Sequence, residues 1–413
     1  MFGLPIIWSI RTFTSLYTPK HKNFINIFST FNASNVITYF IKFPSMPIRK
    51  FLAKIHLIIG LGTGFLFFII ALSGALYTWE PEISRVIYKH KVAVQEKPFI
   101  SISDIKKSLQ SSFPEGDFRT ALYRDSGSSI EVLLYVPGTY YLAQLNPYNA
   151  EIIHLQDMKK GWLNYLKNLH RNLLLGDFGR KIVHWVTLLA LPMLISGLVM
   201  WWPIKGLPKK DKFKIKWAVS PKKLNYDLHN ILGFYATWIL IFSVLTGVFW
   251  GFESVKEVTK AVSGESNITY ESPKSTLPEK TEQLNKDDIL NSLIAQYHKR
   301  FPKSYVRIGI PHKKDEAINL TVIQPNKGLN AIDHYFHDQY SGQPIQGNFQ
   351  NGLSKDNSTF QTINGMVYDI HFGSILGLPG RILVFLASLI GASLPITGFI
   401  FWYGKNKKGK KSF

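Results

Sequence analysis

Four stretches of this chain contain no Lys, Arg, Asp or Glu: residues 57–79, 182–202, 231–252 and 382–403. They run 23, 21, 22 and 22 residues, and about 20 helical residues cross a hydrocarbon core of about 30 Å. The pattern predicts four membrane-spanning helices and excludes a single soluble core. With 46% apolar residues, the chain also falls outside the disordered and collagen-like classes.

The net charge of +21 raises the question of nucleic acid, and its distribution answers it. Segments 1–56, 205–223 and 405–411 carry 7, 8 and 5 Lys+Arg, with Asp211 as their only acid, so they hold +19 of the total. Alternation of four spans puts all three segments on one side of the membrane, which the positive-inside rule identifies as the cytoplasm. The basicity is topological, and no nucleic-acid partner is expected. There are no cysteines, which excludes disulfides, iron–sulfur clusters and covalently attached c-type haem.

The sequence reads as one unit written twice. Aligning the first span from His56 with the third from His229 places Gly60 on Gly233, Gly74 on Gly247 and Glu80 on Glu253. Aligning the second from His170 with the fourth from His371 places Gly179-Arg180 on Gly380-Arg381 and Ser196-Gly197 on Thr397-Gly398. Between spans, residues 101–156 predict a helix through Ile105, Leu109 and Phe113, then strands at 118–123, 130–136 and 139–145. Residues 285–347 predict the same order: a helix through Ile289, Leu293 and Tyr297, then strands near 305–310, 318–323 and 333–337.

The expected fold class is therefore a membrane protein. Four transmembrane α-helices are arranged as a span–domain–span duplication, with two small α+β domains outside the membrane. The expected boundaries are a first span in 46–80, a first domain in 98–157, and an interfacial segment plus second span in 165–203. A basic loop follows in 204–226, a third span in 227–253, a linker in 260–283 and a second domain in 284–347. An interfacial segment plus fourth span occupies 366–404, and a basic tail 405–413. Residues 1–45 lie outside the pattern and are expected to be an interfacial or disordered extension, with Met46 as a natural start.

Four of the twelve histidines, His56, His170, His229 and His371, stand at equivalent span entrances. A single histidine at a membrane interface ordinarily caps a helix or bonds a headgroup; four in matched positions favour pairing. Topology pairs His56 with His229 near one surface and His170 with His371 near the other. Two imidazoles across a four-helix bundle suit the axial positions of a b-type haem. Zinc, which ordinarily takes three or four clustered ligands, suits them less. Gly74 and Gly247 share a helix face with His56 and His229, where a missing side chain admits either a porphyrin or a neighbouring helix.

His184 is a secondary ligand candidate, although Leu174-Leu175-Gly176-Asp177-Phe178-Gly179 predicts a helix break between it and His170. Arg180 and Arg381 are candidates for haem propionates or for interfacial anchoring. His334-x-x-His337, placed on a strand, is expected to be surface chemistry, and Gly60-x-Gly62-x-Gly64 lies in an apolar span and is no nucleotide loop.

These residues resemble the PepSY-associated transmembrane family, which includes the bacterial inner-membrane ferric-siderophore reductases. The resemblance covers about 46–405. It rests on Lys54-Ile55-His56, Leu72-Ser73-Gly74-Ala75-Leu76, Leu169-His170-Arg171, Asp227-Leu228-His229, Leu245-Thr246-Gly247, Ile370-His371-Phe372-Gly373 and Gly377-Leu378-Pro379-Gly380-Arg381. The external segments look like PepSY domains, through turns such as Asp338-Gln339-Tyr340-Ser341-Gly342. The family implies a bacterial inner-membrane, multi-pass protein with cytoplasmic termini and periplasmic PepSY domains. It implies two haem b, held by His56, His170, His229 and His371, and electrons passed outward to iron(III) in a ferric-siderophore. Some members carry a fused flavin or NADPH-binding domain. The 203–230 loop is too short for one, so the expected donor is a quinol or a separate cytoplasmic reductase. PepSY modules also occur in non-enzymatic proteins, so a membrane sensor or protease-regulating protein is the alternative.

Overall fold

The computed structural model describes residues 48–88, 90–203, 210–277, 285–325, 327–328 and 331–409; the 1–45 extension lies outside them. Among the described residues, four helices are long and apolar enough to cross a membrane. They are α1 (Ile48–Tyr77), α5 (Gly176–Trp201), α6 (Pro221–Gly251) and α10 (Gly377–Gly409), whose apolar span reads Ser374–Gly404. α1 packs on α5 and α10, and α6 packs on the same two, so the bundle is a four-sided ring with α1 and α6 on one diagonal. Ala190, Leu194, Leu240, Val244 and Ala387 fill its middle.

Between the spans lie α2 (Glu80–Ile87), α3 (Ile102–Ser112), β1 (Asp117–Tyr123), β2 (Ile130–Val136), β3 (Thr139–Leu145), β4 (Ile152–Asp157) and α4 (Trp162–Asn172). The second intervening segment supplies α7 (Glu253–Val262), α8 (Lys286–Arg300), β5 (Tyr305–Gly309), β6 (Ile318–Ile323), β7 (Asp333–His337), β8 (Pro344–Ile345) and α9 (Thr359–Phe372). Local chemistry sets the helix starts. Ser101 with Asp104 opens α3 as a capping box, and Ser358 with Gln361 opens α9 likewise.

The two external segments do not stand as separate modules. Their strands form one antiparallel sheet in the order β4-β3-β2-β1-β5-β6-β7-β8, joined where Thr120 to Tyr123 pair with Gly309 to Val306. Four strands alone would leave β1 or β5 as an open edge, and joining them removes two edges at once. α3 and α8 cover one face, packing Ile102, Ile105, Leu290 and Leu293 on Ala121, Val132, Ile308 and Leu320. The opposite face carries a polar row: Leu122 pairs with Glu131 and Arg307, Glu131 with Gln144, and Arg307 with Thr321. Arg124 bonds Glu131 at 2.7 Å within it. The first part of the expected linker is held to the start of α9, with Glu265 buried and accepting hydrogen bonds from Ser358 Oγ and Phe360 N.

Candidate functional site

The four span-entrance histidines come together in two pairs. The rings of His56 and His229 have centroids 6.4 Å apart and nearly perpendicular planes, at the bundle end away from the sheet domain. His170, at the end of α4, and His371, at the end of α9, have centroids 6.0 Å apart at the sheet end. His170 lies against Gly74, 18 residues along α1 from His56, so the two levels stand about 27 Å apart. His229 lies in a π-helical turn, Leu228–Leu232, of α6, a local widening that recurs at functional positions.

Every one of the four rings is oriented through Nδ1 by a neighbouring helix. His56 Nδ1 lies 3.1 Å from Met193 O and 3.0 Å from Ser196 Oγ. His170 Nδ1 lies 2.8 Å from Ile70 O. His229 Nδ1 lies 2.9 Å from Thr397 Oγ1. His371 Nδ1 lies 3.0 Å from Ser243 O and 2.8 Å from Thr246 Oγ1. A carbonyl only accepts, so Nδ1 carries the proton. The hydroxyls agree, since Thr246 donates to Phe242 O, Thr397 to Ser393 O and Ser196 to Met193 O. Nε2 is left as the lone-pair nitrogen of each ring, the arrangement metal-ligating histidines adopt. Burial, reinforced by His170, pulls His371 down to about 4, and burial lowers His170 as well, so both stay neutral.

This donor set fits a bis-imidazole haem. An iron held about 2.0 Å from one nitrogen of each of two opposed rings sets their centroids about 6.3 Å apart, close to both observed separations. Among the described residues no three His, Cys, Asp or Glu cluster as a metal site, which matches a pair rather than a zinc-type group.

The glycines serve the histidines directly. A Cβ on Gly74 would stand 2.7 Å from His170 Cε1, on Gly398 3.1 Å from His229 Cε1, on Gly197 3.5 Å from His56 Cε1, and on Gly247 3.8 Å from His371 Cε1. Gly74 and Gly398 are tight slots in one helix for the imidazole of another, Gly197 and Gly247 touch theirs at ordinary contact distance, and the nearest neighbour of a Cβ on Gly247 would be Thr187 Cγ2 at 3.0 Å. Gly60 and Gly233 instead take Met193 and Leu394 in ordinary helix packing.

The remaining candidates separate. The expected break follows His170: Leu173 and Leu174 adopt left-handed φ of 52° and 62°, and α5 starts afresh at Gly176. His184 therefore joins neither pair; its ring packs on Gly251 and lies 6.1 Å from Phe252. Arg381 is buried and already engaged. It donates to both carboxylate oxygens of Glu82, at 2.7 and 2.5 Å, and to Thr78 O, and lies over Trp79 and Phe372. Among the described residues Arg180 has one ion-pair contact, 3.8 Å from Asp177. His334 and His337 are not surface chemistry as expected: His337 is buried between Tyr297 OH (2.9 Å) and Gly342 O (2.9 Å), and His334 Nδ1 is buried as well. Three residues apart on a strand, the two face opposite sides of the sheet.

Sequence reasoning missed the hydroxyls. Their signal was present: Ser196, Thr246 and Thr397 each immediately precede a glycine that faces a histidine, whereas Ser73, which precedes Gly74, donates to Ile69 O instead. The Glu82 partner of Arg381 left no comparable trace, because it comes from a helix about 300 residues away in sequence. In comparison with known proteins, the family model described as the PepSY-associated TM region matches residues 53–405. No curated protein matches the chain.

Proposed function

This chain belongs to the PepSY-associated TM region family, and we propose that it is a dihaem electron-transfer protein that reduces a ferric-siderophore or related iron chelate. The observation that carries the reading is the pair of histidine pairs at opposite ends of the bundle, with Nδ1 hydrogen-bonded in all four rings. His56 and His229 would hold one haem b, and His170 and His371 the other. Haem iron supplies one-electron chemistry between its ferric and ferrous states.

The chain's own part is orientation. Ser196, Thr246, Thr397 and the carbonyls of Met193, Ile70 and Ser243 fix each ring and keep Nε2 free of its proton. Apolar packing between the two levels keeps water out of the bundle. Each electron reaching the acceptor converts one iron(III) to iron(II), which hard oxygen donors hold less tightly, so the chelate releases it.

The charge distribution supports an orientation with the His56/His229 end in the cytoplasm and the sheet domain outside, in the bacterial periplasm. Nicotinamide or flavin electrons would enter through a separate reductase, or quinol would supply them within the membrane. The correspondence of the two halves supports an internal duplication, each half giving one histidine to each pair.

A reduced-minus-oxidised absorption spectrum of the purified full chain, with haem quantified, tests the reading. About two haem b per chain are expected, with partial loss in His56→Ala or His371→Ala and reoxidation of the reduced protein by an iron(III) chelate. A well-folded protein without haem would sink the reductase and favour the sensor or protease-regulating role.

A further inference from the structure

The sheet end of the bundle contains the same construction twice, once with its charge balanced and once with an excess of cations. In each hairpin a glycine one turn into the span packs against the carbonyl that ends the preceding helix. Gly179 of α5 meets Asn172 O, and Gly380 of α10 meets Gly373 O, with no room for a Cβ at either. The residues beside these contacts are thereby neighbours: Arg180 with Arg171 in the first hairpin, Arg381 with Phe372 in the second.

In the second hairpin the charge is closed. The Arg381 guanidinium lies 5.1 Å above the Phe372 ring and is bonded by both oxygens of Glu82. In the first, the position of Phe372 is occupied by a second cation, Arg171. The position of Glu82, 26 residues beyond His56, is occupied by Val255, 26 residues beyond His229. Among the described residues Arg180 keeps Asp177, 3.8 Å away and with a side chain 92% exposed; the Arg180 side chain is itself 40% exposed, and its Nε is buried without a partner, as is that of Arg381. One turn further along α5 stands His184. The two cations lie close enough to disfavour each other's charge, and among the described residues the pair has no carboxylate nearer than Asp177 at 3.8 Å.

We propose that Arg171 and Arg180, flanked by His184, form a binding site for an oxyanion at the sheet end of the bundle, and that Arg381 is not part of it but locks α2 to α10. The anion is a carboxylate or phosphate with at least two oxygens to accept from both forks. It has two sources: a propionate of the haem held by His170 and His371, which rests on the function proposed above, or the phosphate of an anionic phospholipid, which does not.

The test uses the full chain in nanodiscs containing phosphatidylglycerol, comparing wild type with Arg171→Gln, Arg180→Gln, Arg180→Lys and Arg381→Gln. Redox titration reads the two haem midpoints, and native mass spectrometry reads retained lipid. If propionate is the anion, Arg171→Gln and Arg180→Gln lower one midpoint only, since a lost cation favours the ferric state, and retained lipid is unchanged. If lipid phosphate is the anion, retained phosphatidylglycerol falls about tenfold and both midpoints hold. Arg180→Lys keeps the charge and partly restores either readout, and Arg171→Gln, outside the span, covers a failure of the Arg180 variants to fold. Neither readout moving overturns the site, as does Arg381→Gln moving the same readout equally. A wild type without haem ends the proposed function, yet leaves the lipid arm to decide the site.

Discussion

Gly74 and His170 compete for one volume: a Cβ added to Gly74 would stand 2.7 Å from Cε1 of the His170 ring, closer than side chains pack. The ring cannot retreat without breaking its 2.8 Å bond to Ile70 O. Gly74→Ala is therefore expected to displace His170 and remove about one haem per chain. Gly398→Ala, 3.1 Å from His229, should weaken the other site less, and Gly197→Ala, 3.5 Å from His56, should leave it intact. Haem stoichiometry across the three variants checks the order, and a flat series would mean the glycines serve helix packing alone.

The hydroxyl anchors make a separate prediction. His371 bonds both Thr246 Oγ1 and Ser243 O, so Thr246→Val removes one of two restraints and leaves the tautomer fixed. Loss of such an outer hydrogen bond ordinarily costs about 10–100-fold in metal affinity, and the lower part of that range is expected here. Thr397→Val should act similarly on His229, whose ring is also hydrogen-bonded to the backbone of Leu394. Thr→Ser at either position should restore affinity, because the hydroxyl rather than the methyl carries the effect. Haem transfer to an apo-acceptor protein measures it.

What the sequence made legible follows from the physics of each feature. Four spans could be read because excluding charge from hydrocarbon leaves unbroken windows, such as 231–252. Strands β1–β3 and β5–β7 could be read because their register is local. Pairing of His56 with His229 followed from topology and repeat spacing. The joining of β1 to β5 could not be read, since an edge strand's partner leaves no local mark. Nor could the division between Arg180 and Arg381, which share a motif and differ in their neighbours, Phe372 and Glu82 at Arg381 and a second cation, Arg171, near Arg180.

The Arg381–Glu82 pair ties α2 to the fourth span and should register as stability. Removing one partner of a fully buried pair costs about 3–5 kcal/mol. The Glu82 side chain is 38% exposed, so roughly 2 kcal/mol is expected for Arg381→Gln. A double-mutant cycle with Glu82→Gln isolates the coupling. Burial pushes Glu82 up, but the Arg381 guanidinium outweighs it and holds the carboxyl below the ordinary range. The stabilisation is therefore complete above the ordinary value of 4.5 and lost as pH falls through the lower folded value. Thermal scans of Arg381→Gln and wild type that converge at acid pH would bear this out; a gap that persists there would assign the loss to packing on Trp79 and Phe372.

Glu80, two residues earlier on α2, has the opposite sign. Burial pushes its carboxyl up from 4.5 to about 7, against a hydrogen bond from Ser84 that lowers it. The folded protein thus holds a proton there that the unfolded chain has already released. Its contribution is greatest below about pH 4.5, declines as pH rises towards 7, and stays at its minimum above, a loss of about 3 kcal/mol at most. Glu80→Gln mimics the protonated side chain and should raise stability at pH 7.5 while changing little at pH 4.5. The histidines of the sheet end stay neutral in the fold but change charge in the unfolded chain over the same window, so the informative quantity is the variant-minus-wild-type difference at each pH. A difference that grows between pH 5 and 7 assigns the effect to Glu80. One that is constant would mean that the carboxyl is ionised throughout, with Lys167 as its counter-charge.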